Sequence, residues 1–66
     1  MKPNIDVYIS NHGSIFTFLP TTKQARDWIA ENVQDEAQWF GGQLCVEHRY
    51  ARDLANGMVA DGLKLK

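Results

Sequence analysis

"IDVYISNHGSIFTFLP", residues 5–20, decides the fold because it joins two strand patterns through a short turn. Apolar and polar side chains alternate in residues 5–10 with the period of two that is typical of a β-strand. Residues 11–14 contain the asparagine, glycine and serine that favour a turn. Residues 15–20 are rich in β-forming side chains and end at a proline. This stretch therefore predicts a β-hairpin at the start of the domain.

The register of the hairpin determines which side chains share a face of the sheet. We favour the register that pairs Ser10 with Ile15. It places five large apolar side chains on one face, and each contributes about 1.5–3 kcal/mol on burial. These side chains are Ile5, Val7, Ile9, Phe16 and Phe18. A three-residue loop ending at Gly13 would instead place both phenylalanines beside Tyr8 on the opposite face.

Two helices are predicted after the hairpin. The first spans residues 21–33 with Thr21 in a capping box, and the second spans residues 49–63 with Gly62 in a left-handed C-terminal cap. Apolar residues recur at helical spacing in both. The first stripe is Ala25, Trp28, Ile29 and Val33, and the second is Ala51, Leu54, Ala55, Met58 and Val59. Gly57 interrupts the second helix and indicates a close approach to the first.

The segment between the helices predicts a loop followed by a third strand. Trp39 and Phe40 precede two glycines, and we interpret this loop as one that packs both aromatic side chains onto the core. Residues 43–47, QLCVE, alternate as a strand does. Strand parity directs the leucine and valine to the core and Cys45 and Glu47 to the other face.

The element order is therefore β-β-α-β-α, which predicts an α+β fold built as a two-layer sandwich. We expect a three-stranded antiparallel sheet of order 2-1-3 with both helices on one face. Residues 1–66 are expected to form a single small globular domain. The size and element order are typical of a small bacterial or phage protein, and the initiating Met1 leads us to expect a complete short gene product.

Composition narrows the classes of function. The chain is 44% hydrophobic and 23% charged, with a formal net charge of −1, so its charge gives no general attraction to nucleic acid or membranes. Its single cysteine excludes an internal disulfide. The sequence shows no signal-peptide pattern and no stretch of ~20 apolar residues. We therefore expect a cytoplasmic protein that does not bind membranes.

The stretch LCVEHRYARDLANG, residues 44–57, resembles a reactive cluster only in sequence. Cys45 and His48 have the spacing of half a zinc site, but strand parity points them to opposite faces. His12, the remaining candidate ligand, is expected at the far end of the sheet, roughly 16 Å away. The same parity argues against a cysteine–histidine catalytic pair. We expect no metal, no cofactor and no enzymatic activity.

Protein binding is the leading functional hypothesis. In the favoured register the sheet face without helices carries a mixed apolar and polar patch, which is typical of an association surface. The candidate partner-binding residues are Tyr8, Ile15, Thr17, Leu19, Cys45 and Glu47. We expect a regulatory or interaction module that binds a protein partner or itself as a homodimer.

Two alternatives remain open. In the second register, Tyr8, Phe16 and Phe18 would form an aromatic platform for single-stranded nucleic acid. The acidic residues Glu31, Asp35 and Glu36 could present a surface to a basic groove, as inhibitors of nucleic-acid-binding proteins do.

Overall fold

The computed structural model describes residues 5–33 and 38–66, and over these residues the chain is an α+β fold. The elements in chain order are β1 (Val7–Asn11), β2 (Ile15–Pro20), α1 (Lys23–Asn32), β3 (Gln38–Phe40), β4 (Gln43–Glu47) and α2 (His48–Ala60). Within the described residues the four strands form one antiparallel sheet of order β1-β2-β4-β3. Its two central strands are therefore β2 and β4.

The predicted three-stranded sheet of order 2-1-3 is wrong. The strand predicted at residues 43–47 pairs with β2 and not with β1, and β3 pairs with its other side. Gly41 and Gly42 have φ values of +58° and +79°. Positive φ at both central residues is the signature of a type I′ turn, which folds β3 directly onto β4. The crossover through α1 thus leads to β3, which runs parallel to β2, and β4 fills the space between them.

The hairpin prediction was right about the faces and wrong about the pairing. Ser10 pairs with Thr17, not with Ile15, and Val7 pairs with Pro20. The His12 N–H donates to the Ile15 carbonyl at 2.8 Å, so the turn is two residues long. A slip of two residues leaves every side chain on its predicted face, because side chains alternate with a period of two.

The core lies between the helices and one face of the sheet. Phe18 and Leu44 are direct cross-strand partners, and they are 0% and 1% exposed. The buried apolar set is Val7, Phe18, Ala25, Ile29, Leu44, Ala51, Met58 and Leu63. Since α1 and α2 both contribute to this one cluster, both helices cover the same face, as predicted. Val59 does not belong to the buried stripe, because its side chain is 59% exposed.

The helix ends match their predicted signals with one correction. Thr22, not Thr21, is the N-cap of α1, and its hydroxyl accepts the Ala25 N–H at 3.1 Å. At the end of α2 the Leu63 N–H donates to the Met58 carbonyl at 2.9 Å. Together with a φ of +92° at the preceding glycine, this is the predicted left-handed cap in its Schellman form.

Residues 64–66 form an additional segment at the edge of the sheet. Leu65 makes a parallel bridge with Val7 on the outer side of β1. The Ile9 N–H donates to the Lys66 carbonyl at 2.8 Å, and the Lys66 N–H donates to the Val7 carbonyl at 3.1 Å. The outer edge of β1 is therefore covered by the chain's own C-terminus.

Gly57 faces the indole ring of Trp28 on α1, so the predicted close approach to α1 involves this side chain and not the α1 backbone. A Cβ atom at position 57 would lie 3.4 Å from the nearest ring carbon, which is ordinary van der Waals contact. We therefore predict that Gly57→Ala stabilises the domain by up to about 1 kcal/mol, since alanine has the higher helix propensity. Urea unfolding followed by circular dichroism measures this change.

Gly62→Ala is the matched control for this substitution. Because φ at this position is +92°, a side chain there is strained, and we expect a loss of about 1–2 kcal/mol. Destabilisation of similar size by both substitutions would contradict the geometry described for Gly57.

Candidate interaction surface

The sheet face turned away from the helices, which we call the open face, collects the predicted partner-binding residues. Directly opposed residues of neighbouring strands share a face. The opposed pairs are Tyr8 with Leu19, Thr17 with Cys45, and Ile15 with Glu47. All six candidate residues therefore lie together on one surface, on the three adjacent strands β1, β2 and β4.

The exposure of these residues varies across the open face. Tyr8 is 42% exposed and Leu19 is 36% exposed. Ile15, Thr17 and Cys45 are half-buried by their neighbours in the sheet. The face thus presents a continuous surface of side-chain atoms and not isolated protruding residues.

Phe40 belongs to the open face and was missed by the sequence interpretation. It is paired with Gln43 on β4 and is 80% exposed, so it does not pack onto the core as expected. Trp39 points to the opposite face beside Leu44 and is 48% exposed. The two successive glycines that follow are the signal that could have revealed a hairpin here, and with it the alternation of the two aromatics.

The strand residues of the open face carry few charges, and its charged neighbours lie at the margins. Its described strand members are Tyr8, Ser10, Ile15, Thr17, Leu19, Gln38, Phe40, Gln43, Cys45 and Glu47. The His12 imidazole reaches the same face through a 3.4 Å contact with the Thr17 hydroxyl. Beyond β1, Leu65 is paired with Val7 and packs against the core, so the exposed Lys64 and Lys66 that alternate with it lie at the margin of the open face.

Among the described strand members Glu47 is the one charged side chain, and it accepts from the Arg49 guanidinium at 3.1 Å. Both partners are more than half exposed, so the pair contributes ~0–1 kcal/mol to stability. Its main effect here is to neutralise the rim of the face.

The aromatic platform of the nucleic-acid alternative is not formed. Phe18 is fully buried against the helices, and Phe16 packs half-buried on the same side. Tyr8 lies on the opposite face of the sheet. Of the acidic alternative, Glu31 is exposed on α1, whereas Asp35 and Glu36 lie outside the described residues.

The two histidines lie at the same end of the sheet, contrary to the expected separation of roughly 16 Å. The His48 N–H donates to the Ser14 carbonyl at 2.9 Å, so α2 begins beside the two-residue turn that directly follows His12. The reason is the antiparallel pairing of β2 with β4, which brings the end of β4 to the start of β2. Among residues 5–33 and 38–66, no three histidine, cysteine or acidic side chains are grouped for metal binding.

A groove of about 910 Å³ lies beside β4, with residues of both helices in its walls. Its lining also includes Ile15, Gln38, Cys45 and Glu47 of the open face, so the groove adjoins that face. Its apolar wall includes Trp28, Val33 and Leu54, and its polar rim includes Tyr50 and Asp53. This groove was not predicted, because its walls are brought together by residues far apart in sequence.

Asp6 is the buried polar centre that ties the chain ends to the first helix. One carboxylate oxygen accepts the Thr22 hydroxyl at 2.7 Å, and the other accepts the Lys64 backbone N–H at 2.8 Å. Asp6 is 8% exposed. The Lys64 N–H, the Thr22 hydroxyl and, more weakly, the Lys64 ammonium lower the pKa of Asp6 below its ordinary value of 3.8, against the opposing effect of burial.

No protein-family model matches this chain, and neither a curated protein nor a solved structure matches it. Within the described residues, neither α1 nor α2 is long and apolar enough to cross a lipid bilayer.

The lowered pKa of Asp6 predicts a specific loss of stability in acid. Because the unfolded state binds the proton first, the carboxylate contributes its full stabilisation above the ordinary value of 3.8, and this contribution is lost as the pH falls through the lower folded-state pKa. Thermal unfolding should show Asp6→Asn several degrees less stable than the wild type at pH 7. The gap should close as the pH falls below about 4. A gap that stays constant down to pH 2.5 would show that the charge of Asp6 does not contribute.

Proposed function

We propose that this protein is a small, non-enzymatic interaction module of the cytoplasm that associates with a second copy of itself through the open face. The observation that supports this is a surface whose described strand residues include four large apolar side chains and one charged side chain, which is paired with Arg49. These four are Tyr8, Ile15, Leu19 and Phe40. The proposed role is regulatory, because the concentration of the protein would set the fraction that is dimeric.

The charge distribution over the described residues of the open face favours a second copy as the occupant. In a twofold dimer a residue meets its own copy only on the axis, and away from the axis it meets a different residue. Glu47, at the end of β4, is paired with Arg49 within its own chain at 3.1 Å. Lys64 and Lys66 lie at the margin beyond β1. The uncharged residues at the centre, Thr17 and Cys45, can therefore pack against their copies without bringing like charges together.

The dimensions of the face set the expected affinity. Strands spaced ~4.8 Å apart and about 17–20 Å long give four strands a projected area on the order of 300–400 Å². Side-chain relief enlarges this area, but it stays below the ~800 Å² per partner of a standard interface. We therefore expect a reversible dimer with a Kd in the micromolar range.

Nucleic-acid binding receives less support from the same surface. Backbone phosphates are bound mainly by lysine and arginine, whereas none of the described strand residues of the open face is basic, and its neighbouring lysines, Lys64 and Lys66, are confined to one margin. Exposed aromatics on this face, Tyr8 and Phe40, are also on opposite edge strands, β1 and β3. Fluorescence anisotropy with a labelled single-stranded oligonucleotide at 0.15 M salt should show no binding, and saturable micromolar binding would favour the alternative.

The self-association is tested by placing a charge among the apolar side chains of the open face. We predict that Leu19→Glu weakens the dimer by about tenfold or more, because an unpaired carboxylate would have to be buried in the interface. Sedimentation velocity over a range of about 1–500 µM measures the change. Circular dichroism checks that the fold is retained.

Val59→Glu is the matched control, because Val59 is also an exposed aliphatic side chain but lies on α2, away from the open face. This variant should dimerise like the wild type. A wild type that sediments as a monomer at every concentration would refute the proposal. An equal loss of association in both variants would place the interface elsewhere.

A further inference from the structure

The outer edge of β1, which residues 64–66 cover, is a second surface distinct from the open face. Residues 64–66, which we call the tail strand, are held to β1 by a short set of hydrogen bonds. The Asp6 and Val7 N–H groups donate to the Lys64 carbonyl at 2.8 and 3.1 Å. The Ile9 N–H donates to the Lys66 carbonyl, and the Lys66 N–H returns a bond to Val7.

Apolar burial contributes little to holding the tail strand in place. Lys64 and Lys66 are exposed, and Leu65 is only half-buried against the core. In contrast, Leu63 is 4% exposed and is fixed by the helix cap that begins at Met58. The boundary between Leu63 and Lys64 therefore separates a firmly packed segment from one held mainly by backbone hydrogen bonds.

The carboxylate of Asp6 is the side chain that fastens the start of the tail strand. It accepts the Lys64 N–H at 2.8 Å while its other oxygen accepts the Thr22 hydroxyl. A hydrogen bond to a charged acceptor is stronger than one between neutral groups. The tail strand is thus attached through one charged contact to the N-cap of α1.

The edge beneath the tail strand is complementary to itself. The N–H groups of Val7 and Ile9 and the carbonyl of Val7 point outward, two residues apart along β1. A second β1 running antiparallel presents the same groups at the same spacing. Uncovered strand edges of this kind pair readily with other chains.

We propose that the tail strand is a detachable latch, fastened by Asp6, that controls whether the outer edge of β1 pairs with the same edge of a second copy of this chain. With the latch closed, β1 is protected and association is limited to the open face. With the latch open, edge pairing extends the sheet across two molecules. This inference does not depend on dimerisation through the open face.

Amide hydrogen exchange measured by NMR tests whether the latch opens locally. The amides of Val7, Ile9 and Lys66 bond across the tail strand, whereas Tyr8 and Ser10 alternate with them and face β2. In Asp6→Asn the first group should exchange about tenfold faster or more, while the second changes only with global stability. The neighbouring amides of the same strand are thus an internal control.

Sedimentation in a Leu19→Glu background tests the edge separately from the open face. Adding Asp6→Asn should strengthen concentration-dependent association relative to Leu19→Glu alone, in which any association through the open face is already weakened. Lys66→Pro removes the Lys66 N–H without touching Asp6 or the helix cap, so it should act in the same direction if Asp6→Asn proves unstable. Equal acceleration of both amide groups, or double variants that fold but associate no more strongly than Leu19→Glu alone, would overturn the proposal.

Discussion

The pairing of Phe18 with Leu44 across the two central strands fixes which side of the sheet every other residue occupies. Both side chains are buried beneath the helices, and both strands alternate outward from that point. Burial of two side chains of this size contributes roughly 3–6 kcal/mol in total, a large share of the stability of a small domain. The alternation that follows leaves Thr17 and Cys45 at the centre of the open face.

The same constraint explains why residues adjacent in sequence have different roles. Between Cys45 and Tyr50 the chain leaves the open face at the end of β4, passes beside the turn of the β1–β2 hairpin, and enters α2. Cys45 is opposed to Thr17, whereas His48 donates its backbone N–H to Ser14. The polar and ionisable side chains that are close together in this part of the sequence are therefore divided between the end of a strand and the start of a helix.

Features that depend on local periodicity could be predicted from the sequence. The membership of the open face needs only the parity of each strand, so it survived a two-residue error in register. The cap at Gly62 and the contact between Gly57 and Trp28 follow from residues that tolerate special backbone conformations or close approach. These signals are contained within a few neighbouring residues.

Features that depend on distant partners could not be predicted in this way. Strand order depends on which strand the third predicted strand pairs with, and β1 and β2 are similar in their apolar content. β3 has three residues, which is too short to show a periodic pattern. The bond between Asp6 and Lys64 joins positions 58 residues apart, and nothing in the local sequence of either indicates the other. The exposure of Phe40 likewise follows from the Gly41-Gly42 turn and not from its own hydrophobicity.

In the proposed function two copies associate through the open face and not through the helical side. Concentration-dependent changes in amide chemical shifts test this claim most directly, because they locate an interface residue by residue in the unmodified chain. For association through the open face, we expect the shifts between dilute and concentrated samples to be largest around Tyr8, Thr17, Leu19, Phe40 and Cys45. Spectra that do not change with concentration, or changes confined to α1 and α2, would contradict the proposed association.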